Sequence, residues 1–418
     1  MKIRLILVGL RRNYIVLNEI VPKRSSEIML KHLTFFALFL PIYYSAVNSI
    51  YYPQFILVNF FALLFILSVL IHREWKFSYT KESIFIFLLI GGVVGYTVCS
   101  LYVNYKYLHW YEDQINTTIS LIFFIGLLVL KNDKEIVSSK VIDFLIRTVV
   151  VSNLIGIIYY FLGYSAISVE NAQVQFIPID PTYYEKRFNW LYGHKNNYGF
   201  MLVLFIALFV VYRKRFRNKK TYFASIGVLF VGLIISHSYT SLFAALLIFA
   251  GQFVDYIANK KIKLNWKYLL PAIPIFGVIG GFGLKMMKER NLLTLGSRIP
   301  IWKESIKLIL QSPYGIGTAY DTFAYPVPGL SFKVYNCHNM FLTFMWRFSI
   351  PVGLCYALIY LIIIIYSLKR RFSFLSIGIW MALLIPMCMD STILTTQLTF
   401  FLFVLYCIFF RDDKEKAN

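Results

Sequence analysis

The chain has 418 residues, of which 59% are apolar, 18% aromatic and only 15% charged. That balance excludes a soluble globular protein, whose charged share is about 25%. The formal net charge of +22 is gathered between the apolar runs, so it is a signal of membrane topology and not a nucleic-acid footprint.

Residues 1–32 form a basic segment whose apolar run is too short and too interrupted to span a bilayer. It reads either as a helix lying on the anionic inner leaflet or as an unstructured basic tail, and no secretory signal is evident. A single transmembrane domain follows over 33–410, and 411–418 make a short tail. Runs of about 20 apolar residues cross a ~30 Å hydrocarbon core, and the bilayer offers the backbone no hydrogen-bond partner, so each run must be helical. The expected fold is all-α and polytopic, with twelve spans at about 33–50, 54–71, 84–103, 114–130, 144–163, 196–212, 222–236, 239–254, 267–284, 341–367, 373–389 and 393–410. The stretch 341–367 is long for one span and is expected to tilt or project above the membrane. The pair 222–236 and 239–254 is short, which allows the turn between them to lie below the membrane surface.

With the N-terminus in the cytoplasm, inside segments hold 29 of the 42 Lys and Arg residues and outside segments 12, leaving Arg147 at a helix start. This bias places both termini in the cytoplasm. Two long external loops result, about 164–194 and 285–337. Of the external cations only Lys106 lies away from these loops and the spans they enter. Such cations either meet an anionic partner at the outer surface, such as a lipid phosphate, or are ordinary solvated charges.

The second loop contains the stretch around which the chain is organised. Residues 298–311 read as an amphipathic helix with Ile299, Trp302, Ile306, Ile309 and Leu310 largely on one face and Lys303, Glu304 and Lys307 opposite. Ser297 is placed to cap its start and Pro313 to limit its end, and the helix is expected to lie on the outer interface with Trp302 as anchor. Gly315 and Gly317 then permit either a tight turn or close backbone approach to a ligand. Tyr320, Phe323, Tyr325, Phe332 and Tyr335 offer faces for sugar stacking or for loop packing.

The chain has no Walker loop, no dinucleotide-binding glycine fingerprint, no G-x-S-x-G elbow and no external acidic pair to hold a divalent ion. Ionisable residues within the spans are nearly absent, which argues against an ion-coupled transporter; Asp390 is the main acidic candidate. The five cysteines form no CxxC pair or framework. His194, His237 and His338 lie at span edges on the outer side, but without metalloenzyme spacing, so no metal site is expected.

Several of these pieces together resemble a known family. The stretch from Arg187 through Gly193, His194, Lys195, Asn196 and Asn197 to Gly199 opens a span much as the GxxxNxxG segment does in O-antigen ligases and Wzy-type polysaccharide polymerases. Ser236-His237-Ser238-Tyr239-Thr240 is similar to that family's Ser/Arg/Thr-rich turn, without its frequent arginine. Ser297-Arg298, Trp302, Pro313, Gly315-Ile316-Gly317 and His338-Asn339-Met340-Phe341-Leu342 look like its SR…W…P…GxG…HNxxL signature. The resemblance covers roughly residues 187–360. It implies a GT-C-like helical fold and a metal-independent, cofactor-free glycosyltransferase. That enzyme would move glycan from an undecaprenyl-diphosphate-linked donor to an acceptor hydroxyl, on the outer face of the cytoplasmic membrane.

When the bond from the glycosyl carbon to the lipid diphosphate breaks, the departing diphosphate needs fixed cations where its negative charge accumulates. Arg187 and Arg298 are assigned that role because a guanidinium forks onto phosphate oxygens and stays protonated. His338 is assigned as general base, with the alternative that it merely precedes a helix. His194, Lys195, Asn196, Asn339, Gly315, Gly317, Trp302 and Arg290 complete the expected substrate-binding set. The expected partners are a polyprenyl-diphosphate-linked oligosaccharide, membrane lipids and other polysaccharide-assembly proteins, with no nucleic acid. Polymerisation of repeat units into a capsular or O-antigen-type polysaccharide is the first reading. Ligation of finished glycan to a final acceptor is the second. A lipid-linked oligosaccharide flippase is the reading from a different class; it would gather its cations in a central cavity and needs no long external loops.

Overall fold

A computed structural model of the chain describes residues 27–36, 38–39, 139–170, 173–180, 188–192, 194–213, 218–260, 297–313, 325–331, 337–347, 349–370 and 372–389. Isolated residues 60, 61, 64, 91, 92, 216, 315, 333, 334 and 405 are also described. The described chain is mostly helical, and five of its helices are long and apolar enough to cross a membrane. The predicted spans 54–71, 84–103, 114–130, 267–284 and 393–410 lie outside the described residues, apart from isolated helical positions. The chain divides into two compact units.

In the first unit, residues 1–87, 112–238 and 394–418, residues 27–36 and 38–39 are helical. They are followed by α1 (Ser139–Phe161), an antiparallel hairpin of β1 (Tyr164–Glu170) and β2 (Gln173–Pro178), α2 (Lys195–Tyr212) and α3 (Lys219–Ser236). Beyond its first turn helix α2 is apolar on every face, which suits either a protein core or a bilayer, and here it is buried nearly throughout by its neighbours. A polar contact ties it to α1: the Tyr198 hydroxyl donates to Asn153 Oδ1 at 2.8 Å, and Asn153 Nδ2 donates to the Val149 carbonyl. A Cβ on Gly232 of α3 would come within 2.7 Å of that same hydroxyl, so this glycine makes room for the ring.

The hairpin was not legible in the loop sequence. Its start is joined to the chain that follows: Ala166 forms a parallel bridge with Trp190, and the Ile167 amide donates to the Trp190 carbonyl. Trp190 is buried, its indole N–H reaches Ser152 Oγ on α1 at 3.2 Å, and its ring lies over Gly156. The loop entering α2 is therefore held by packing on α1.

The second unit, residues 88–111 and 239–393, contains α4 (Tyr239–Lys260), α5 (Arg298–Gln311), a short antiparallel pair β3 (Tyr325–Pro326) and β4 (Lys333–Val334), α6 (Met340–Arg347), α7 (Ile350–Arg370) and α8 (Phe374–Met389). Helices α4 and α8 pack backbone to backbone. A Cβ on Gly251 would lie 2.5 Å from the Phe374 carbonyl oxygen, and one on Gly378 would lie 2.6 Å from that of Leu247. The Asp255 carboxylate of α4 accepts from the Phe374 and Leu375 amides, each at 2.8 Å, which satisfies the first orphan donors of α8.

The structure corrects the expected single span 341–367. It is two helices, because Ser349 starts a new one: Ser349 Oγ accepts from the Val352 amide, and Pro351 occupies a first-turn position that needs no amide donor.

Helix α5 has the predicted bounds but differs in detail. Ser297 has left-handed backbone and makes no side-chain cap. The buried residues are Ile301, Ser305 and Ile309, which join Tyr325, Val327, Val334, Cys337 and Trp346 in a small core within this segment. Trp302 packs against that core instead of serving as the outward anchor, while Ile306 and Leu310 are exposed. Tyr325 is a core residue and not a stacking platform. Its hydroxyl lies 2.7 Å from Ser305 Oγ, and burial raises its pKa well above the ordinary phenol value, so it stays protonated. The other four aromatics proposed for stacking lie outside the described residues.

Candidate functional site

The candidate residues fall into two groups, one in each unit. In the first unit, His194 is the residue before α2 and caps it, its Nδ1 accepting from the Asn196 amide at 3.2 Å. An accepting Nδ1 puts the neutral ring's proton on Nε2, so in this state His194 offers a donor and not a base. Lys195 is 5% exposed and starts the helix. Asn196 Oδ1 accepts from Ser238 Oγ at 3.2 Å. That bond joins the segment at the start of α2 to the Ser236-His237-Ser238 turn, so two of the motif pieces meet at one end of this unit. His237 ends α3 in a left-handed conformation, and buried Ser236 Oγ accepts from the Ser238 amide while donating to Leu233. The Ser-rich turn named Ser238 as part of a motif, and the structure gives it a partner in Asn196.

In the second unit, four candidate residues gather around the C-terminal end of α8. Arg298 Nε donates to the Met389 carbonyl at 2.7 Å, and Asn339 Nδ2 donates to the Cys388 carbonyl at 3.0 Å. These carbonyls lie in the last turn of α8, the end that carries the negative pole of the helix dipole, so a cation and an amide are natural partners. Asn339 Oδ1 also accepts from the Leu342 amide, which makes it the N-cap of α6. Its side chain therefore holds two helices together, a positioning role beside the substrate-binding role expected of it. His338 sits before it with φ of 44°, and its carbonyl accepts from the Trp302 indole at 3.4 Å. Trp302 thus fixes the backbone that presents the imidazole.

The guanidinium is planar, so holding Met389 through Nε sets the plane of its two terminal nitrogens. Sequence reading did not anticipate that Cys388 and Met389 would supply the surface on which this group is built. Gly315 has φ of 84° and its amide donates to the Ser312 carbonyl, so it serves a tight turn after α5. Arg187, Arg290, Gly317 and Asp390 lie outside the described residues. Among the described residues there is no cluster of three or more His, Cys, Asp or Glu side chains able to hold a metal ion. No family model matches the chain, and no curated protein matches it.

Proposed function

We propose that the chain is a membrane glycosyltransferase that extends a lipid-diphosphate-linked glycan by repeat units, metal-independently, at the outer face of the cytoplasmic membrane. The reading includes a twelve-span, GT-C-like architecture with both termini in the cytoplasm. The observation that carries it is the gathering of Arg298, Trp302, His338 and Asn339 at the end of α8. The same four residues stand in the ordered motifs that carry the family resemblance. In this reading Arg298 holds the leaving diphosphate and His338 takes the acceptor's proton. Trp302 and Asn339 position the two.

Deleting the gene separates the readings. A polymerase leaves single repeat units on the polyprenyl lipid, whereas a ligase leaves finished polymer on it. Unchanged surface polysaccharide and unchanged lipid-linked species would overturn both. Purified protein given the lipid-linked units extracted from deletion cells should elongate them in excess chelator. Loss of turnover restored by magnesium or zinc would refute metal independence. Arg298→Lys should lower elongation by about tenfold or more, because an ammonium keeps the charge and loses the fork. Elongation at the wild-type rate would reduce Arg298 to a helix-end partner of α8.

A further inference from the structure

We propose that α5 is a membrane-surface helix, with Ile299, Ile306 and Leu310 bedded in an anionic lipid leaflet and Lys303 and Lys307 at its headgroups. The inference does not depend on which ligand the site takes. Two hydrogen bonds fix where the helix lies. At its start Arg298 holds the Met389 carbonyl, the last residue of α8. Just past its end the Pro313 carbonyl accepts from the amide of Ile350, the first residue of α7, at 3.0 Å.

Helices α7 and α8 are apolar and joined by residues 371–373 alone. Taken as consecutive spans, as in the architecture proposed above, they run in opposite directions, so the start of α7 and the end of α8 emerge on the same side. A helix of 14 residues, about 21 Å long, that is fastened at both ends to these two span ends lies along the membrane surface.

The sides of α5 match that position. Ile301, Ser305 and Ile309 are buried against the local core. At about 100° per residue, Ile299, Ile306 and Leu310 fall within roughly 40° of one another on an adjacent side. Ile306 is 46% and Leu310 68% exposed. Lys303 and Lys307 come next around the helix and are exposed, followed by Gln311 and Glu304. An apolar edge followed by lysines and then by polar side chains, of which Gln311 is exposed and Glu304 half-buried, is the pattern of an interfacial helix, whose lysines lay their stems on the apolar boundary and their ammonium groups on the phosphates. Lys307 also pairs with Glu304 at 2.9 Å, so Lys303 carries the larger share of the lipid attraction. Trp302, turned to the core, is not part of this edge.

The test uses the full-length protein with its native cysteines replaced and single spin labels on Ile306→Cys, Leu310→Cys and Gln311→Cys. The probe membrane is a vesicle of phosphatidylcholine and phosphatidylglycerol. Collision with oxygen relative to a water-soluble nickel chelate should be several-fold higher at the first two sites than at the third. Equal ratios at all three would overturn the proposal. So would labels at positions 306 and 310 that are immobilised and shielded from both reagents, since a second copy or another protein would then cover the helix. Omitting phosphatidylglycerol should lower the ratio at position 310, and Lys303→Gln with Lys307→Gln should abolish that lipid dependence. A ratio indifferent to phosphatidylglycerol would refute the anionic partner. If the cysteine-free protein does not fold, a photoreactive benzoylphenylalanine at 306 or 310 in the otherwise native chain reads the same contact. Crosslinking to lipid is expected, and crosslinking to protein alone would overturn it.

Discussion

His338→Asn should cut glycan elongation by about 10²–10⁴-fold, the usual contribution of a general base, while leaving the protein folded. Asparagine suits the position because His338 has φ of 44°, in the left-handed region that Asn and His enter more readily than other side chains. The Trp302 indole donates to the carbonyl of residue 338 and not to the imidazole, so that contact survives the substitution. The N-cap of α6 belongs to Asn339 and is untouched. A loss of turnover with unchanged thermal stability and unchanged retention of the lipid-linked donor would therefore belong to the ring itself. Wild-type elongation would remove His338 as the base. His194 would be a poor replacement, because its Nδ1 already accepts from the Asn196 amide.

Gly378→Leu should separate α8 from α4 and abolish the site without touching any residue in it. The first added carbon would stand 2.6 Å from the Leu247 carbonyl oxygen, a backbone atom that cannot rotate away. The facing contact, Gly251 beneath the Phe374 carbonyl, is equally tight, so the two helices cannot slide to relieve it. Overpacking of this kind costs about 1–3 kcal/mol even where side chains can yield, and close helix approach in lipid depends on small residues. The heat-induced loss of monodisperse protein from detergent extracts should move to clearly lower temperature. Gly227→Leu is the control, because nothing lies within 4 Å of its added carbon. Equal behaviour of the two variants would show that the α4–α8 contact does not support the unit. The milder Gly378→Ala should lower elongation in partly folded samples, because α8 carries the Cys388 and Met389 carbonyls that Asn339 and Arg298 hold.

The parts of the fold visible in sequence are those set by local composition. Long apolar runs gave helices near the expected positions at Ser139–Phe161, Lys195–Tyr212, Lys219–Ser236, Tyr239–Lys260 and Phe374–Met389. The helix Arg298–Gln311 also has its predicted bounds, because its residues favour a helix and Pro313 restricts the residue before it. Ser349 and Pro351 carried a helix-start signal inside the long apolar stretch 341–367, and hydropathy masked it. The β1–β2 hairpin has no such signal: its register is set by contacts with each other's strands and with Trp190.

The candidate site divides along the same line. The motif order that carries the family resemblance singles out Arg298, Trp302, His338 and Asn339. Amphipathic spacing did not show which apolar side of α5 meets protein, since Ile301 and Ile309 on one side and Ile306 and Leu310 on another are equally hydrophobic. Only the tertiary structure decided that Trp302 faces inward. It alone also decided that Arg298 and Asn339 end on carbonyls 91 and 49 residues away. The acceptors there are backbone oxygens, which every residue possesses, so nothing in the local sequence marks Cys388 and Met389 as the partners of these side chains.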